Sequence, residues 1–117
     1  MNIQIFGRTK GHDTKHAERF FKERRIPFQS IDLDRYGMRD KEWNSVLQSG
    51  YTWKDVVDEK SKAYKNLHFE YLPDSMKEAT LREHPELMKA PIVRNGNKAT
   101  VGVREDIWKK WEEESRG

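Results

Sequence analysis

The chain has 117 residues, enough for one domain with a single core two or three layers deep. Only 34% of the residues are apolar and 37% are charged, so that core is compact and the surface densely charged. There is no cysteine, which excludes disulfides, thiolate metal sites and intrinsic thiol redox chemistry together.

No apolar run approaches the roughly 18 residues of a membrane span, and the N-terminus lacks the basic-then-apolar pattern of a signal peptide. A cytoplasmic protein with no membrane association is expected. The net charge of +3 comes from 23 basic and 20 acidic side chains that are interleaved along most of the chain, which reads as a solvated mixed surface and not as a nucleic-acid face. The local exception is residues 8–25, where Arg8, Lys10, Lys15, Arg19, Lys22, Arg24 and Arg25 stand against Asp13, Glu18 and Glu23.

Residues 2–6 alternate, Ile3 and Ile5 on one face and Gln4 and Phe6 on the other, and end at Gly7: a strand. From about Asp13 the spacing becomes helical through Ala17, Phe20, Phe21 and Arg24, with Asp13 or Thr14 available as N-cap. Ile26 and Pro27 end that helix, because proline cannot continue the hydrogen-bond ladder. Residues 28–33 read as a second strand, making a βαβ unit with parallel strands.

Residues 38–88 read as an all-helical insert in short pieces, punctuated by Gly50, Pro73 and Pro85. Within it, residues 39–47, 53–57, 61–67 and 75–83 are the expected helices, the last opened by a capping box from Ser75 to Glu78. Residues 90–94 and 98–101 flank Asn95-Gly96-Asn97, the strongest short-range hairpin signal, read as a type I′ turn. After Gly102, residues 104–113 form a last helix that buries Ile107, Trp108 and Trp111, and residues 112–117 read as a fraying end.

A strand leading through a tight basic loop into a helix leaves the first helical N–H groups free to meet an anion. Arg8, Lys10, Gly11, His12 and Lys15 are the candidates for that site. Arg94 joins them if strand alternation points it that way; the opposite face is the other outcome. His12 and His16, four apart with Asp13 between them, have the spacing of a shared metal face, but two ligands make a thin signal and no metal site is assigned. His68 and His84 have no evident partner. Trp43, Trp108 and Trp111 sit at core spacing, whereas Trp53, Tyr64 and Tyr71 would mark a protein-binding surface if exposed together.

The order βαβ, helical insert, ββα resembles the thioredoxin-like glutaredoxin-type arsenate reductases and the Spx-like transcriptional regulators. The carrying residues are Ile3 to Gly7, Asp13, Thr14, Ala17, Phe20, Phe21, Ile26 to Phe28, Asp32, Ala90 to Val93, and Val101 with Gly102. The resemblance implies an α/β thioredoxin-like fold over residues 1–117, with a four-stranded mixed sheet and helices on both faces. It also implies a cis peptide bond before Pro91, which would face the first loop.

In that family the nucleophilic cysteine precedes the first helix, and Gly11 holds that position here. Two oxyanion-clamping arginines of the reductases correspond to Ala90 and Val101, while Lys54 falls near a third. The resemblance therefore implies no catalytic residue and no thiol oxidoreductase activity. What remains is a pocket for a small anion or a thiol ligand such as glutathione, built from Arg8, Lys10, Gly11, His12, Lys15, Pro91 and Arg94. The alternatives it implies are an Spx-like regulator that binds RNA polymerase, or a reductase-like protein using an external thiol.

Overall fold

The computed structural model describes residues 1–116. Strand β1 (Ile3–Gly7) lies inside a four-stranded sheet of order β2-β1-β3-β4. It pairs in parallel with β2 (Phe28–Asp32) and antiparallel with β3 (Ile92–Asn95), which pairs with β4 (Lys98–Val101). This is the mixed sheet and the βαβ-then-ββα order that the sequence implies.

The alternation read in β1 divides the core into two. On one face, Ile3, Ile5 and Val93 pack with Ala17, Phe20 and Phe21 of helix α1 (His12–Glu23) and Trp108 and Trp111 of the C-terminal helix. On the other, Phe6, Ile92 and Ala99 pack under the insert through Leu33, Trp43, Val46, Phe69, Leu81 and Met88. Each face of the sheet is thus covered, as burial of a period-2 pattern requires.

The insert is built from α2 (Leu33–Tyr36), α3 (Asp40–Gln48), α4 (Trp53–Val56), α5 (Lys62–Asn66) and α6 (Asp74–Glu83), with 3₁₀ turns at Phe69–Tyr71 and Pro85–Leu87. Its two arms meet: Val57 bridges Met88, Asp58 N–H donates to the Leu87 carbonyl and Lys89 N–H to that of Val56, both at 2.7 Å. That closure delivers the chain to Ala90 and Pro91, whose peptide bond is cis. The last helix is α7 (Glu105–Arg116).

Several local expectations are corrected. The second strand stops at Asp32 because Leu33 turns inward to full burial as the start of α2. Helix α1 ends one turn before Pro27: Arg25 adopts φ 57° and Ile26 N–H returns to the Phe21 carbonyl at 2.9 Å, a left-handed C-cap that stops the helix by itself. Ser75 does not cap α6, which begins at Asp74 with Pro73 at the N-cap; Glu78 instead accepts from Trp43 Nε1 at 3.3 Å. The hairpin pairs Asn95 with Lys98, so Gly96 and Asn97 are the central residues, and of these only Gly96 has positive φ, at 63°. That excludes type I′ and matches type II′, where glycine takes the first central place. Helix α7 continues to Arg116 instead of fraying from Glu112, Ile107 is half-buried, and Gly117 lies outside the described residues.

Candidate functional site

The first loop is closed by three backbone-directed hydrogen bonds. Gly11 N–H donates to the Arg8 carbonyl at 2.8 Å, Lys15 N–H to the Gly11 carbonyl at 3.1 Å, and Arg8 N–H to Thr14 Oγ1 at 3.0 Å. Thr14 was a candidate N-cap; instead its hydroxyl reaches back across the loop, and Gly11 is the N-cap, with no side-chain capping bond. The start of α1 therefore offers backbone N–H groups unclaimed by any capping side chain, with Lys10 and Lys15 exposed beside them. Asp13 in the first turn opposes that field in part.

Gly11 has φ −76° and ψ 128°, extended geometry that any residue adopts. A Cβ there would lie 3.0 Å from Thr14 Oγ1 and 3.2 Å from the Arg8 carbonyl oxygen, a tight fit against two groups that the loop's own hydrogen bonds hold. The backbone dihedrals thus permit a side chain at the position where the resemblance places a nucleophile, and the chain supplies none. Continuing the β1–β3 register one step past Phe6 and Ile92 sets Pro91 beside Gly7, at the same end of the sheet as this loop. Pro91 is buried, and its carbonyl accepts from Gly102 N–H at 2.8 Å.

Two of the predicted cations do not assemble with the rest. Arg8 contributes its backbone to the loop, but its guanidinium turns to Asp34 (Nε to Oδ1, 2.9 Å) and to the Pro85 carbonyl (Nη2, 3.0 Å). It locks the loop to the insert, and its charge is already partnered. Arg94 sits opposite Gln4, on the insert-facing side of the sheet and three residues along β1 from Gly7, roughly 10 Å away. Lys54, the residue nearest a third clamp, is exposed, with Nζ 5.8 Å above the Trp53 ring. Lys10, His12 and Lys15 stay exposed around Gly11, on the loop at the same end of the sheet as Pro91. The signal that would have redirected Arg8 is Asp34, and nothing local in the sequence identifies it.

His16 does not share a ligand with exposed His12: its Nε2 meets Glu105 Oε2, tying the start of α1 to the start of α7. This hydrogen bond, with the nearby His16 charge, holds the Glu105 carboxyl below the ordinary carboxylate range. A depressed pKa contributes stability above the unfolded value of about 4.3 and loses it as pH falls through the lower folded value. Glu105→Gln is accordingly expected to flatten the acid limb: its urea midpoint should change less than the parent's between about pH 5 and pH 3. Equal slopes would show that the pair contributes nothing.

Trp53 and Tyr64 are half-buried, 5.9 and 5.6 Å from the Phe69 ring, and only Tyr71 of that trio is exposed, so they do not form the joint aromatic surface considered above. Among the described residues no group of three or more His, Asp or Glu side chains could hold a metal ion. Among the described residues no helix is long and apolar enough to cross a membrane.

Comparison with known proteins agrees with this fold. The chain is 28% identical over 109 residues to the global transcriptional regulator Spx 2 of Oceanobacillus iheyensis, covering 91% of this chain and 80% of the regulator. Among solved structures, an ArsC family related protein from Bacteroides fragilis superposes with a TM-score of 0.81 at 18% identity, covering 94% of this chain and 97% of the other. The arsenate reductase from Vibrio cholerae gives 0.73 at 22% identity, over 86% and 89% of the two chains. Those two likenesses carry the fold alone. The ArsC family model matches residues 6–111, nearly the entire sheet and insert, and the chain belongs to the ArsC family.

Proposed function

We propose that this chain is a binding member of its family, receiving a small anion or a thiol such as glutathione at the first loop without reacting with it. The supporting observation is Gly11 at the N-cap of α1. The position is partly exposed and begins a helix whose first N–H groups no side chain caps, but it has no side chain with which to form a covalent intermediate. The withdrawal of Arg8 into its pair with Asp34, and alanine and valine at residues 90 and 101, favour weak and reversible binding over oxyanion reduction.

An amide-resolved NMR titration tests this reading with phosphate, arsenate and glutathione as probes. Saturable shifts confined to residues 8–15 and 92–93 are expected. No shift with millimolar ligand would overturn it. A second reading is regulation through RNA polymerase, favoured by the 28% identity to the Spx 2 regulator over most of the chain. Co-purification with RNA polymerase subunits from a lysate would support it, and their absence from the captured fraction would count against it.

A further inference from the structure

A cleft of about 780 Å³ lies away from the first loop, between α3 and the β3–β4 hairpin. Arg94 lines it and is 9% exposed. Guanidinium is always charged and brings five N–H donors, and a buried charge is ordinarily paired with an opposite one. Here every partner is neutral. Nε donates to Ser45 Oγ at 3.0 Å, Nη2 to the Gly96 carbonyl at 2.9 Å, and Nη1 to Gln4 Oε1.

Those three bonds fix the direction of the fork and leave two N–H groups over. No carboxylate among the described residues pairs with it. Glu42, an acidic residue lining the cleft, accepts from Arg39 N–H at 2.8 Å through one oxygen at the start of α3, and its charge stands against the three cations Arg39, Lys41 and Arg94. The exposed rim adds two further cations, Arg39 and Lys41, and the walls carry the amides of Asn2, Asn44, Gln48 and Asn97. The cleft volume lies within the range of small-molecule sites.

We propose that this cleft binds a small molecule carrying a phosphate or carboxylate on a hydroxyl-rich body, its oxyanion received by Arg94 and its hydroxyls by the surrounding amides. The ligand supplies the charge that the fold withholds from Arg94. Ser45 and Gln4 are positioning residues, holding the guanidinium plane in place before the anion arrives. A purely structural role for Arg94, as a strut between β3 and α3, would need no anion and show no saturation.

The test is an NMR titration of the full chain with ribose 5-phosphate, citrate and, as the uncharged control, ribose. The Arg94 Nε–H and the amides of Ser45, Gly96 and Asn97 report this cleft, whereas residues 8–15 report the first loop, so the two sites are read separately. Saturable shifts at the cleft with ribose 5-phosphate or citrate, and none with ribose, are expected; which anion binds identifies the class. Arg94→Gln should abolish them. Because that variant also removes three hydrogen bonds of the fold, the rim variant Lys41→Glu provides the fold-neutral check and should weaken binding about threefold or more. No shift up to about 20 mM, well above a Kd of about 1 mM, would overturn the proposal. So would equal shifts with ribose, persistence in Arg94→Gln, or unchanged affinity in Lys41→Glu.

Discussion

Trp108→Ala is expected to cost about 3–5 kcal/mol, a large part of the stability of a chain this size. The indole is fully buried at the centre of the cluster that joins both outer helices to the sheet, with Phe20 and Phe21 centroids 5.2 and 5.3 Å away. Its Nε1–H donates to Thr100 Oγ1 at 2.9 Å, and Thr100 is itself completely enclosed. Truncation therefore opens a cavity and strips a buried hydroxyl of its partner. Trp108→Phe separates these effects: it keeps most of the packing, loses the donor, and should cost about 1–3 kcal/mol. Adding Thr100→Val should recover part of that loss, because neither side is then left unpaired. Urea denaturation followed by circular dichroism measures all three. A cost below about 1 kcal/mol for Trp108→Ala would show that this cluster is not the anchor of α7.

Gly7→Ala is expected to destabilise by about 2–3 kcal/mol, an unusually large penalty for one methyl group. The backbone at Gly7 is not in the left-handed region, so the glycine is needed for space and not for conformation. A Cβ there would lie 2.3 Å from Thr14 Cγ2 and 2.6 Å from Oγ1. Thr14 cannot move away freely, because it is buried and its hydroxyl holds Arg8 N–H. Thr14→Ala alone should cost about 1–2 kcal/mol through that lost acceptor. The double variant should fall short of the sum by at least about 1 kcal/mol, since the second change removes the obstacle created by the first. Strict additivity would mean that the loop shifts as a whole and that Thr14 does not define it. In the titration proposed for the first loop, Gly7→Ala should also weaken binding, because the N-terminus of α1 is held by the same contact.

The parts of the site that were legible in the sequence are those set by local rules. A strand of alternating apolar residues, a glycine, a basic loop and an amphipathic helix are read from sequence alone with the helix starting near Asp13, and the structure starts it at His12 with Gly11 as the N-cap. Thr14 shows where local rules stop. A threonine near a helix start is read as its cap, yet this one bonds backward because Gly7 leaves the room for it. In the same way, Ser75 and Glu78 have capping-box spacing, but Trp43 takes the glutamate from 35 residues away. The hairpin was located by Asn95-Gly96, while its turn type followed from which pair closed the ladder, one residue later than Asn-Gly at the centre would require.

The sequence by itself determined the missing nucleophile, the order of elements and the two-faced sheet, because composition is absolute and burial patterns of period 2 and 3.6 are local. Where the long cations go was decided only by the tertiary structure. Arg8 ends on Asp34 and on the carbonyl of Pro85, 77 residues distant, and Arg94 on Ser45 and on Gln4, 90 residues distant. An arginine head sits several rotatable bonds from its backbone, so its position is fixed by whichever acceptors the fold brings within reach. Strand register sets Arg94 apart from the first loop and side-chain reach turns Arg8 away from it, leaving one arginine to lock the loop and the other as a charge without an acidic partner beneath a second cleft.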